Sequence, residues 1–283
     1  TTGVNFLFLT SPIYMLTSGT LLNKDHESDE MIEEGIAEVF KHGRYFAIAT
    51  GRHYNQVPVK FKDTNGYYVC LNGAVVSDFK GNVILERQIE TKVLIDFMEM
   101  FKEMNFEYIS KTNIYTFVDR ETYRNNMIEV LASRGLVNTT WIDKFMHEKL
   151  ENMIYEATFE QVIEAGICKI NARRGPNIRF DLIEKYIEGC EGLINSPCDD
   201  EMIEITASNV TKASALEWLA NYLHIIEDEV AVYGDGGNDV QMLEAFANSY
   251  APSDSSKMAL ASAKNIIGAF EEYSVIKHIQ SLL

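Results

Sequence analysis

The sequence predicts an α/β protein, a doubly wound and mostly parallel sheet with covering helices, interrupted by an inserted α+β domain. Three observations predict it. Short apolar runs alternate with helical segments at both ends of the chain, each run closes on a polar cluster, and the stretch between about residues 84 and 193 loses that rhythm. In parallel sheets ligands bind beyond the carboxyl ends of the strands, so the polar clusters are where chemistry is to be sought.

The first strand lies in the apolar run that starts at Ile13 and closes on Gly19-Thr20, and residues 23–29 are polar and turn-like. Ser28 is placed to cap a helix whose first turn carries Asp29 and Glu30. Its apolar positions are Ile32, Ile36, Val39 and Phe40, and it stops at Gly43. Residues 45–49 form the second strand, closing on Thr50-Gly51-Arg52. Residues 67–71 form the third, closing on Asn72-Gly73. A hairpin signal at residues 78–82, a helix near 91–104 and short paired strands around 107–118 mark the α+β insertion. The first pattern then returns. A helix runs through Leu216, Leu219, Ala220 and Leu223, a strand covers 229–233, and the turn Gly234-Asp235-Gly236-Gly237-Asn238-Asp239 follows. Helices through Met242, Leu243 and Phe246, and through Val275, Ile276, Ile279 and Leu283, complete the chain. The expected division is a core domain of residues 1–83 and 194–283, with residues 84–193 inserted.

A chain of 283 residues with 46% hydrophobic and 24% charged content is globular, and at this length two domains are expected. Lys and Arg number 25 against 42 Asp and Glu, a net charge of −17. That is the wrong sign for a phosphate backbone or an anionic lipid surface, which excludes nucleic acid and membrane as partners. An anionic substrate must then be held by a local cation or metal working against the mean field. Cys70, Cys168, Cys190 and Cys198 form no CxxC pair and the six histidines no metal pattern, so zinc is not expected and the thiols read as reduced. The apolar residues 4–16 lack a basic flank, are interrupted by Pro12 and are too short to cross a bilayer. A cytoplasmic protein is expected.

The turn from Gly234 to Asp239 puts two carboxylates and an amide on a Gly-rich loop directly after a strand, oxygen donors that suit Mg²⁺. It is no EF-hand, since the twelfth position from Asp235 is Phe246, and it lacks the GxGxxG spacing of a dinucleotide site. An ordinary βα turn has the same composition. Thr50-Gly51-Arg52 offers a hydroxyl, backbone N–H groups and a guanidinium to a phosphate. Lys212, at the head of a helix, is a candidate point charge for an anion.

Taken in order, Gly19-Thr20-Leu21-Leu22, Thr50-Gly51-Arg52, Asn72-Gly73-Ala74, Lys212 and the turn Gly234 to Asp239 resemble the Cof-type phosphatases of the haloacid dehalogenase superfamily. The resemblance spans nearly the whole chain, including a cap domain inserted after the Asn-Gly turn. It implies a Mg²⁺-dependent phosphatase of small phosphorylated metabolites such as sugar phosphates, working through an aspartyl-phosphate. It implies that Thr50 binds phosphate, that Lys212 stabilises the developing charge, and that Gly19, Thr20, Gly51, Arg52, Asn72 and Gly73 meet the substrate. Asp235, Asn238 and Asp239 are then the metal site. Arg173, Arg174 and Arg179 fall in the cap.

The family's first motif, Asp-x-Asp-Gly-Thr, is where this chain departs. Aligned without a gap, Leu16 stands at the nucleophile and Ser18 at the general acid, and neither can do that work. Aligned with a gap, the strand runs to Ser18 and the three residues Asp-x-Asp are missing before Gly19, which draws Gly19-Thr20 toward the sheet by about ten ångströms. Asp25 is the nearest downstream acid, on a polar linker, and is not expected to substitute. The alternative is therefore a non-catalytic protein that binds phosphate or a sugar phosphate.

Overall fold

The computed structural model describes residues 13–17, 29–57, 66–133, 147, 149–175 and 178–283. The apolar residues before Ile13, the positions Ser18, Gly19 and Thr20, Asp25 and the expected cap Ser28 lie outside them. The chain divides into two compact units, Thr1–Ile84 with Lys212–Leu283, and Leu85–Thr211.

The first unit begins with strand β1 (Ile13–Thr17), helix α1 (Glu30–Lys41), and strands β2 (Tyr45–Ala49), β3 (Tyr67–Cys70), β4 (Val75–Ser77) and β5 (Val83–Glu86). Asp29, expected in the first turn of α1, is its N-cap. Its Oδ1 accepts the Ile32 amide at 3.2 Å, and its Oδ2 accepts the Tyr273 hydroxyl at 2.6 Å. A short carboxylate held from both sides is a better cap than a solvated hydroxyl. After Lys41 the chain leaves the helix through Gly43, at φ +66°. The turn from Asp78 to Asn82 closes the hairpin between β4 and β5, with Asp78 Oδ1 accepting the amides of Lys80 and Asn82.

The second unit carries α2 (Thr91–Met100), β6 (Glu107–Ser110), β7 (Ile114–Tyr115), α3 (Arg120–Ser133), β8 (Met153–Ile154), α4 (Phe159–Glu164), β9 (Ile167–Arg173), α5 (Phe180–Glu188), β10 (Leu193–Asn195) and β11 (Met202–Ala207). Its six strands lie in the order β10-β11-β9-β6-β7-β8. Phe97, Phe101, Phe106, Tyr108, Ile170 and Ile183 share its apolar core. This unit ends at Thr211 where residue 193 was expected, because β10 pairs antiparallel with β11 and β11 antiparallel with β9. The helix expected over 91–104 stops at Met100, since Phe101 already leaves helical geometry.

The chain re-enters the first unit with α6 (Lys212–Tyr222), β12 (Val230–Tyr233), α7 (Val240–Ala245), β13 (Asn248–Pro252), α8 (Lys257–Ser262), β14 (Asn265–Ile267) and α9 (Ser274–Ser281). Its sheet has the order β14-β13-β12-β1-β2-β3-β4-β5. The early strands build outward from one side of β1 and the late strands from the other, so the strand order reverses beside β1. β1 is parallel to both neighbours, with Leu16 beside Ile48 of β2 and Tyr233 of β12. Helix α1 buries Ile32, Ile36 and Val39, and Gly35 lets α9 approach so closely that a Cβ there would lie 2.4 Å from Ile276. Among the described residues no helix is long and apolar enough to cross a membrane.

Behind β12 and β13, His278 of α9 lies with its Nδ1 2.9 Å from the Tyr233 hydroxyl and its ring tilted against Tyr250, centroids 4.3 Å apart. Burial pushes the imidazole below its ordinary value of 6.5, and burial pushes the Tyr233 hydroxyl up. The folded protein therefore prefers neutral His278, and the unfolded chain takes up the proton first as the pH falls. Stability measured by denaturant titration should drop as the pH falls below about 6.5. His278→Phe should flatten that part of the slope, whatever it does to the midpoint at neutral pH.

Candidate functional site

The parallel register brings the exits of β1, β2, β3 and β12 to one edge of the first unit's sheet. Thr17 pairs with Ala49 and Leu16 with Tyr233, so Thr50 and Gly234 emerge side by side with the end of β1. Thr50 is 2% exposed. Its amide donates to Val69 O at 2.8 Å, its carbonyl accepts the Asn72 amide at 3.1 Å, and its hydroxyl accepts the Arg52 amide at 3.1 Å. The Leu71 amide closes the link by donating to Arg52 O at 3.1 Å. This lacing fixes the turn after β2 against the turn after β3. Leu71, Asn72 and Gly73 have φ of +52°, +55° and +103°. Glycine and asparagine adopt such angles readily, whereas Leu71 does so at a cost of about 1–2 kcal/mol. Burial of the Leu71 side chain and its lacing to Arg52 hold it there.

Lys212 opens α6 and is 4% exposed. Its Nζ donates to Asn238 Oδ1 at 2.9 Å and to Asp239 Oδ1 at 2.6 Å. The second oxygen of Asp239 accepts the amides of Asp235 and Gly236, both at 2.9 Å. The Gly-rich turn thus wraps around one carboxylate. Gly234 is required for this closure, because a Cβ there would lie 2.6 Å from Asp239 Cβ. Asn238 Nδ2 reaches Asn72 Oδ1 at 3.4 Å, joining this turn to the one after β3, and the Ser256 amide donates to Asp235 O at 3.0 Å. Arg52 keeps exposed surface and forms no ion pair with a carboxylate among the described residues, while local desolvation lowers its pKa.

Thr50, Gly51, Arg52, Asn72, Gly73, Asp235, Asn238 and Asp239 therefore lie on turns that are bonded to one another, and Lys212 meets them from the head of α6. Leu16 is a paired residue of β1, and Ser18, Gly19 and Thr20 fall outside the described residues. Asn238 and Asp239, expected as metal ligands, are engaged instead: the amide oxygen of Asn238 is on Lys212, and both oxygens of Asp239 are on Lys212 and the turn amides. A buried ammonium needs a carboxylate partner more than a weakly bound cation does. Mg²⁺, the cofactor the resemblance implies, is thus left Asp235 as a side-chain carboxylate. Among the described residues no group of three or more His, Cys, Asp or Glu converges, and residues 1–24 contain neither Asp nor Glu. This donor set does not fit a standing Mg²⁺ site.

The bridge from Asn238 to Asn72 and the ion pair of Lys212 with Asp239 were not foreseen in the sequence, where the partners stand 166 and 27 residues apart. The second unit holds its own buried polar group: Glu107 Oε1 accepts Lys149 Nζ at 2.7 Å and the Tyr123 hydroxyl at 2.6 Å. Burial pushes the Glu107 carboxyl up, but the charges of Lys149 and Arg173 with these hydrogen bonds outweigh it and hold it below its ordinary value. Arg174 donates to Asp200 O at 3.1 Å, and Arg179 pairs with Asp181.

A family model described as haloacid dehalogenase-like hydrolase matches residues 18–279. The HMP-PP phosphatase of Yersinia pseudotuberculosis is 23% identical over 232 residues, 80% of this chain and 77% of its own. Among solved structures, a haloacid dehalogenase-like hydrolase from B. subtilis superposes with a TM-score of 0.79 at 22% identity, covering 96% of this chain and 100% of that one. A HAD subclass IIB sugar phosphatase does so with a TM-score of 0.74 at 17% identity, covering 96% and 99%. Those two superpositions establish a shared fold.

The ion pair makes a direct prediction. Asp239→Ala strands the Lys212 ammonium in the interior and should cost about 3–5 kcal/mol in chemical denaturation. Adding Lys212→Met should recover much of that loss, because the uncompensated charge is then gone.

Proposed function

The chain belongs to the haloacid dehalogenase-like hydrolase family, and on that premise we propose that its first unit binds the phosphoryl group of a small phosphorylated metabolite, a sugar phosphate among them. The observation that carries this reading is the buried Lys212 ammonium held between Asn238 and Asp239, on turns laced to Thr50. A lysine with two protein acceptors keeps a third N–H to direct at an anion. The Thr50 hydroxyl, the amides that follow it and the Arg52 guanidinium add donors of the kind phosphate needs.

Turnover is a separate matter. An aspartyl-phosphate route needs a carboxylate where the first strand ends, to attack phosphorus, and a second to protonate the leaving group. The chain has neither Asp nor Glu in residues 1–24, and the family match starts at Ser18, immediately before Gly19-Thr20. Both facts hold equally for Leu16 and Ser18 standing at the two acidic positions and for Asp-x-Asp missing between Ser18 and Gly19. The function the geometry supports best is therefore phosphate binding, with hydrolysis reduced to what a preorganised anion site yields without a nucleophile. A relative named as a phosphatase favours hydrolysis as the second reading. The four cysteines are free, which supports a reducing, cytoplasmic setting, and the acidic charge supports a small-molecule partner over a nucleic acid.

Hydrolysis of an aryl phosphate by the purified chain, beside a variant with Asp-Leu-Asp inserted between Ser18 and Gly19, separates the two readings. The chain itself should be silent, and the insertion should raise the rate by about a hundredfold or more. Turnover by the unaltered chain at the rate of the insertion variant would show that another group serves as nucleophile.

A further inference from the structure

We infer that this site takes its phosphoryl group without a divalent cation, an inference that rests on the phosphate reading above. The first step is the donor count. Mg²⁺ demands a near-octahedral oxygen shell and is usually held by one or two carboxylates together with substrate phosphate. Three of the roughly four acceptor sites of Asp239 are already filled. One of its oxygens takes Lys212 Nζ at 2.6 Å, and the other takes two backbone amides at 2.9 Å. Turning it toward a metal would leave a lysine of 4% exposure uncompensated. Asn238 is bound to the same lysine through its only side-chain acceptor. Asp235 remains, and residues 1–24 supply no second carboxylate to the strand at the centre of the sheet.

The second step is charge. A cation in a phosphate site with several carboxylates screens them from the incoming dianion as well as binding it. Here Lys212 offsets Asp239, and the exposed Arg52 stands against Asp235 in number, so among the described residues of these turns the dianion meets no excess of carboxylates. What a metal would do for binding is already done by the missing negative charge. Arg52 then contributes a charge-assisted hydrogen bond that no carboxylate among the described residues competes for.

Calorimetric titration of the full chain with inorganic phosphate, once in excess EDTA and once in excess MgCl₂, tests this. The Kd should agree within about twofold between the two conditions, as zero coupling requires. Arg52→Met should weaken it by about tenfold or more. The Asp-Leu-Asp insertion variant is the contrast, and its phosphate affinity should rise when Mg²⁺ is added. Phosphate bound by the unaltered chain only with Mg²⁺, or tighter with it by more than about tenfold, overturns metal independence and leaves the phosphate reading standing. Phosphate bound under neither condition by a chain that circular dichroism shows to be folded overturns both. So does binding that Arg52→Met leaves unchanged, since the anion is then held elsewhere.

Discussion

A lysine buried at the head of a helix has to be compensated, and the pair it forms with Asp239 is the interaction around which the site is organised. Lys212 arrives from α6 and Asp239 from the turn after β12, 27 residues later in the chain. Once the two meet in a low-dielectric setting, the second oxygen of Asp239 gathers the amides of Asp235 and Gly236 and so sets the path of the whole turn. Gly234 is there because that path leaves no room for a Cβ. Asn238 is held on the same lysine and reaches Asn72, whose own amide is bonded to Thr50. One ion pair thus connects the turns that follow three strands.

That connection has a chemical cost and a chemical consequence. Committing Asp239 to Lys212 removes a carboxylate from the pool a metal could use, and leaves an ammonium whose field is partly spent inside the protein. In a chain of net charge −17, the phosphate binding proposed above requires a local balance that differs from the global one. A strand exit without carboxylates moves that balance in the direction of binding and away from chemistry, because the groups that would attack phosphorus are also the groups that repel it.

Much of the fold was legible in the sequence because the early elements are local. The apolar run Tyr45–Ala49 became β2 with those bounds, and the acidic start, apolar stripe and glycine stop of α1 became a helix with Ile32, Ile36 and Val39 inward. The turn residues of Asp78–Asn82 made the expected hairpin. What failed depends on tertiary pairing. The boundary at residue 194 assigned residues 202–207 to the core, and nothing local says that β11 joins β9 in the second unit rather than the first sheet. The cap at Asp29 is also bonded to Tyr273, 244 residues away, a contact no local pattern announces. Within the site, the motifs marked the residues that meet, but their roles were hidden. A GDGGND turn looks the same whether Asp239 faces a metal or a lysine, and only the position of Lys212 decides it.

The same distinction explains how this fold stands with no carboxylate in residues 1–24. β1 earns its central place through backbone pairing to β2 and β12 and through Ile13 and Tyr14, which are 0% and 2% exposed. Hydrogen bonds to two neighbours and apolar burial are what a central strand contributes to stability, and none of it comes from carboxylates at the strand's end. Acidic groups clustered for catalysis repel one another and are desolvated at a cost, so their removal relaxes the folded state where their presence strains it. The fold and the laced turns at its edge are held by one set of contacts, and the chemistry of a site there rests on another.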